Sequence, residues 1–225
     1  YNVMNKDQTL IKIEKWLNII GDSLDSPIWK DGTFVYEKIT VKHVAYLKAV
    51  RAVSSLHSLS LLYKKGLAID GGTILRCLFD CLNEIYFLLE NYPDTSVTVD
   101  KHVRHFESTS LISKIERTET IISKKIHSAH ARVYKEQLNF SDCRNSIRKI
   151  FEIFSGYVHS NYPHIMEIYG GDDLTFHIRG VSSPKKITEF TALFEGAIGS
   201  TETSLGFMAM KLGLSELFEE IKENL

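Results

Sequence analysis

Apolar residues recur at helical spacing along most of this chain, and the breaks between the runs mark out its elements. Leu10, Ile13, Trp16, Leu17 and Ile20 form one stripe, which predicts an amphipathic helix over 7–20 that stops at Gly21. Over 21–38, Gly, Pro, Asp and Ser alternate irregularly with Ile28, Trp29, Phe34 and Tyr36, the pattern of a long ordered loop. From Ile39 to Lys65 there is neither Pro nor Gly, and apolar residues fall at nearly every angle of a helical wheel. Such a helix is central, and Gly66 closes it. A second central helix is predicted over 72–90, with Asp70 as its cap. At ~100° per residue, Ile74, Leu75, Leu78, Leu82, Ile85 and Leu89 help to cover well over half its circumference. The narrow stripe left over holds Thr73, Arg76, Asp80, Asn83 and Glu84, and polar groups on a buried helix must be paired or line a cavity.

Residues 97–136 are polar and charge-rich with a weak pattern at Leu111, Ile115 and Ile122, which reads as one or two surface helices. A stronger helix follows the cap-like Ser141, with Ile147, Ile150, Phe151, Phe154, Tyr157 and Val158 on one face, and ends near Pro163. The clearest strand signal comes next: Ile165 to Tyr169, a turn at Gly170-Gly171-Asp172-Asp173, and the alternation of Leu174, Phe176 and Ile178. From Pro184 onward the pattern is helical again, in a long segment through Lys211 weakened by Gly196, Gly199 and Gly206 and then a short acidic helix. The expectation is an all-α fold, a single helical domain over 1–225. It comprises an N-terminal helix and ordered loop (1–38), a helical core (39–164), a hairpin (165–181) and C-terminal helices (184–225). This makes a bundle of six to eight helices with two buried central helices, antiparallel to each other, and one small β-hairpin.

Composition narrows the function classes. With 225 residues, 44% hydrophobic and only four prolines, the chain can bury a core by itself and is not a disordered sequence. Its 27 basic residues nearly cancel 28 acidic ones, so no global charge favours nucleic acid or a membrane surface. Residues 101–150 differ: 11 Lys or Arg stand against 5 Asp or Glu, a local balance of +6 with four histidines besides, while the remainder is at −7. That asymmetry suits a phosphate-bearing partner, and equally a solvated face neutralised elsewhere. Cys77, Cys81 and Cys143 are too few for a disulfide framework and lack zinc-site spacing, so packed thiols in a reducing, cytoplasmic setting are expected. The longest run free of Asp, Glu, Lys and Arg, Ile153 to Met166, falls short of the ~20 apolar residues of a spanning helix. No membrane association and no secretory signal are expected.

Several chemistries can be set aside by pattern. There is no P-loop, dinucleotide-binding glycine motif, nucleophile elbow or Glu-x-x-His pair for a di-metal bundle. His102-x-x-His105 and His127-x-x-His130 have helical metal-ligand spacing but no third ligand, and Asp172 and Asp173 fit a solvated turn better than a cation site. No cofactor or metal is expected. The more specific groups are Arg76 and Asp80, four residues apart on the polar stripe, and Arg144, Arg148, Ser155 and His159 on the later helix. A neutral histidine beside an arginine and a carboxylate can act as a general base. The same residues can instead tie helices together, with His159 capping a helix C-terminus.

Two stretches, Leu75-Arg76-Cys77-Leu78-Phe79-Asp80 and Phe154-Ser155-Gly156-Tyr157-Val158-His159-Ser160, resemble the two signatures of a widespread, mainly prokaryotic all-helical family with an Arg-x-x-Phe-acid helix and a later Ser-x-x-Val-His helix end. That family is similar in turn to HEPN-type helical domains, some of which are ribonucleases of toxin and phage-defence systems. The resemblance implies a defence-type helical protein that binds or cleaves RNA, or binds a nucleotide. Arg76, Asp80, Ser155 and His159 would form its catalytic group, with Arg144 and Arg148 on phosphate. One departure stands out: HEPN ribonucleases carry Arg-x(4–6)-His on one helix, whereas the nearest upstream arginine to His159 is Arg148, ~16 Å along the axis. Catalysis would then call on Arg76 from another helix. The alternative reading is a non-enzymatic interaction module that forms a homo-oligomer. Its contact would be the C-terminal helix, where Ala192, Gly196, Ala197, Gly199, Ser200, Ser204, Gly206 and Ala209 allow close approach and Phe207, Met208 and Met210 add adaptable apolar surface.

Overall fold

A computed structural model describes residues 3–108, 123–170, 174–181 and 183–225. The weak pattern at Leu111, Ile115 and Ile122 lies outside the described residues, as do Asp172 and Asp173. The fold is an all-α bundle. Its long helices among the described residues are α1 (Val3–Asp22), α2 (Val41–Lys64), α3 (Ala68–Leu89), α6 (Phe140–Val158) and α8 (Pro184–Lys211). Shorter ones are α4 (Val97–Ser108), α5 (Ser123–Val133), α7 (Tyr162–Met166) and α9 (Ser215–Lys222). Two antiparallel two-stranded hairpins complete it, β1 (Ile28–Lys30) with β2 (Thr33–Val35) and β3 (Tyr169–Gly170) with β4 (Thr175–Phe176).

The two central helices, α2 and α3, pack against each other along their lengths and reverse direction at Gly66. There the Gly66 N–H donates to the Tyr63 carbonyl and the Leu67 N–H to the Leu62 carbonyl, the paired bonds of a Schellman cap with glycine in the left-handed region at φ +68°. The Val181 N–H also donates to the Gly66 carbonyl at 2.9 Å, so the chain leaving the second hairpin docks on this turn. A Cβ at Gly66 would collide with the Val181 backbone. α8 then runs back across α2 and α3, burying Phe194, Ala197, Leu205 and Met208, and α9 folds onto it after Gly213. Buried apolar residues from Leu10 in α1 to Ile221 in α9 form one contiguous core.

Several sequence expectations change in detail. α1 continues past Gly21, because the Tyr46 ring of α2 lies directly against that glycine and leaves no room for a side chain. The stretch expected to be a loop contains the β1–β2 hairpin, turned by Asp31 and Gly32, both at positive φ. Asp70 lies inside the first turn of α3 rather than at its cap, and Asn139, not Ser141, caps α6 by accepting from the Ser141 and Asp142 N–H groups. Ile165 belongs to α7, so the second hairpin is shorter than the alternation implied. α5 is not a surface helix: it packs on both α3 and α6 and buries His127, Ala129 and Ala131. The glycines of α8 do not interrupt it.

Candidate functional site

The polar stripe of α3 meets α6 at Arg76 and α5 at Asn83, and Arg76 organises the site. Arg76 is mostly buried, and its guanidinium lies 3.5 Å from the centre of the Phe151 ring of α6. Its Nε donates to Ser155 Oγ at 3.1 Å, and it forms an ion pair with Asp80 one turn along α3. Three of the four residues expected to act together are therefore joined. His159 is not among them: it is the exposed C-cap of α6, its backbone N–H donates to the Ser155 carbonyl, and its imidazole has no hydrogen-bond or ion-pair partner among the described residues.

The histidine that does approach Arg76 is His127 of α5. It is buried with its ring edge-on to Phe151, 4.9 Å between centres. Burial, and then the positive charges of Arg76 and Arg144, push its pKa below the ordinary range and keep the imidazole neutral. Arg76, His127 and Arg144 thus converge from α3, α5 and α6 around one phenylalanine. A cleft of about 380 Å³ opens on one side, lined among others by Lys48, Arg76, Asp80, Glu84, His102 and His127. A second of about 360 Å³ is lined by Lys124, His127, Arg144, Arg148, Phe151 and Glu152. Ser123, His127 and Phe151 belong to both, so the two clefts meet at His127. Arg148 is an exposed residue paired with Glu152 at 3.0 Å, while Arg144 has no ion-pair partner among the described residues.

Inside the first cleft a mostly buried carboxylate is held by side chains from two other helices. Glu84 receives Lys48 Nζ at 2.7 Å and His102 Nε2 at 3.0 Å on the same oxygen. Burial alone would raise its pKa, but the hydrogen bond from His102 and the charge of Lys48 outweigh that and hold it below the usual carboxylate range. Neighbouring Asn83 accepts through its Oδ1 from the His130 Nδ1–H, 2.5 Å away. His127 and His130 face different partners, Phe151 and Asn83, and the described residues contain no group of three His, Cys, Asp or Glu placed to hold a metal ion.

Arg76, Asp80, Ser155, Arg144 and Arg148 were legible as polar residues at helical spacing. His127 was legible only as half of a metal-type pair, because its closeness to Arg76 depends on α5 packing inside the bundle. No protein-family model, curated protein or solved structure matches the chain.

Proposed function

We propose that the paired clefts around His127 bind the phosphodiester backbone of RNA, with Arg76 and Arg144 as the phosphate ligands. The observation that carries this reading is the convergence of two guanidinium groups, from helices far apart in sequence, on a buried neutral imidazole. Guanidinium forks match phosphate oxygens, and an unprotonated imidazole beside them can accept the proton of an attacking 2′-hydroxyl. Asp80 and Ser155 position Arg76, Arg148 extends the cationic rim, and His127 takes the general-base role that the sequence assigned to His159. The HEPN-like resemblance of the α3 and α6 stretches extends the proposal to a defence-type protein, and three free cysteines fit a cytoplasmic setting. No described helix is long and apolar enough to cross a membrane.

Fluorescence anisotropy with a labelled single-stranded RNA tests binding. Affinity should fall with salt, and Arg144→Ala should weaken it at least fivefold and reduce the salt slope. Cleavage of the RNA but not of a DNA oligonucleotide of the same sequence, lost in His127→Gln, would establish catalysis. RNA binding that is absent, or indifferent to Arg144, overturns the proposal.

The second reading, a homo-oligomeric interaction module, has its own observation. Trp29 and Phe34 face each other across the β1–β2 hairpin with ring centres 4.9 Å apart, yet are 64% and 67% exposed. By contrast, much of the small-residue surface of α8, including Ala197, Ser204 and Ala209, is buried within the chain. Light scattering of the wild type and Phe34→Ser separates this reading from the first: a dimer lost in Phe34→Ser, without RNA binding, favours it.

A further inference from the structure

A third cavity, of about 320 Å³, lies where α3, α5, α6 and α8 meet, and its chemistry differs from that of the clefts. It shares Asn83 with the cleft of Lys48 and Arg76, and no residue with the cleft of Arg144 and Arg148. No Asp, Glu, Lys or Arg is among its lining within the described residues. Its walls include Phe79, Leu82, Ile147 and Ile150, and the α8 side is bounded by Gly196 and Gly199. A Cβ built on either glycine would meet nothing within 4 Å, so these positions border open space rather than a packed neighbour.

The polar end of the cavity is the Asn83–His130 pair. His130 lies flat on Tyr86, ring centres 4.0 Å apart and planes within 5°, and Tyr86 is fixed by hydrogen bonds with Tyr134 and Ser204. Burial, reinforced by the neighbouring His127, keeps His130 neutral. A neutral imidazole has one N–H and one lone pair. With Nδ1–H donating to Asn83 Oδ1, the His130 Nε2 retains a lone pair and the Asn83 amide retains its N–H groups. If the Asn83 amide is turned round, the roles exchange: the amide oxygen remains as acceptor and Nε2–H as donor. Either way the pair keeps one donor and one acceptor, and neither has a partner among the described residues.

We infer that this cavity binds a small, neutral aromatic amide, its ring against Phe79, Leu82 and Ile150 and its amide edge on Asn83 and His130. The carbonyl of such a ligand accepts from one member of the pair and its N–H donates to the other. A volume near the lower limit for ligand pockets restricts the occupant to one ring or a fused pair. A charged ligand is excluded because the lining offers no counter-charge and burial would strip its water. The site stands apart from the RNA proposal, since none of its residues is a proposed phosphate ligand.

Isothermal titration of the full chain with benzamide tests this. Saturable binding at one site is expected, with N,N-dimethylbenzamide, which lacks the donor, and benzoate, which is charged, each at least tenfold weaker. Gly199→Leu projects a side chain into the cavity and should weaken benzamide at least tenfold without lowering the melting temperature; Gly196→Met is the second occluding variant should the first not fold. Absence of saturable benzamide binding overturns the inference. So does equal binding of N,N-dimethylbenzamide, or undiminished binding in a folded occluded variant.

Discussion

Arg76 and Ser155 are 79 residues apart in sequence and joined by a 3.1 Å hydrogen bond between α3 and α6. The guanidinium also lies over Phe151 of α6 and pairs with Asp80 of its own helix, so one side chain makes three kinds of interaction, two of which link α3 to α6. Arg76→Ala should therefore destabilise by ~2–3 kcal/mol, from the lost charged hydrogen bond and ring contact. Asp80 is 40% exposed, so water can take over its hydration. Urea unfolding of Arg76→Ala, Asp80→Ala and the double variant should give a coupling below ~1 kcal/mol, in the range of a partly exposed pair.

Glu84 is the opposite case. It is a mostly buried carboxylate that depends on Lys48 and His102. Lys48→Met removes its ammonium partner and should cost about 3 kcal/mol, while Glu84→Gln in the same background should restore a substantial part. Equilibrium urea unfolding at pH 7 measures both.

The buried histidines predict sensitivity to acid. His130 has its pKa pushed down to about 4 by burial and by His127, against ~6.5 in an unfolded chain. Its neutral form is the one that fits, so its contribution is complete above pH ~6.5 and is lost as pH falls toward 4, where the unfolded chain takes up a proton that the folded one refuses. The loss is on the order of 3 kcal/mol. Melting temperature against pH should drop over this window in the wild type and be flatter in His130→Gln.

Glycines that look alike in sequence should respond in opposite ways to alanine. Gly199→Ala adds a methyl that meets nothing within 4 Å and improves helix propensity, so stability should rise by ~1 kcal/mol and the melting temperature by ~2–4 °C. Gly21→Ala meets the Tyr46 ring, and Gly66→Ala meets both the Val181 backbone and an unfavourable positive φ, so both should melt lower. Differential scanning calorimetry of the three variants checks the ordering.

The contrast between these positions explains what the sequence could and could not disclose. Periodicity located α2, α3 and the polar stripe along α3, since 3.6-residue spacing is a local property of a buried helix. The Asp31-Gly32 turn was also present as a signal, but three-residue strands around it are too short for alternation to register. What stayed hidden was long-range. Gly21 reads as a helix stop until Tyr46 is seen to occupy its missing side chain, and α5 reads as a solvated helix because Lys124, Lys125, His127, His130 and Arg132 outnumber the two alanines it buries. His127 enters the site for the same reason, and His159 leaves it because a helix C-cap continues the chain outward.

The hydrogen bond from Val181 to Gly66 has a topological consequence. It makes the stretch from α3 to the end of the second hairpin an excursion that returns to its starting point, while α1, α2, α8 and α9 form the rim to which it is fastened. Closure entropy grows only slowly with the length of such an excursion. Insertions or deletions in its exposed turns would therefore leave the hand-over from α2 to α8 where it is. The clefts, built on this excursion except for Lys48 of α2, can therefore be reshaped while its two ends stay fastened together.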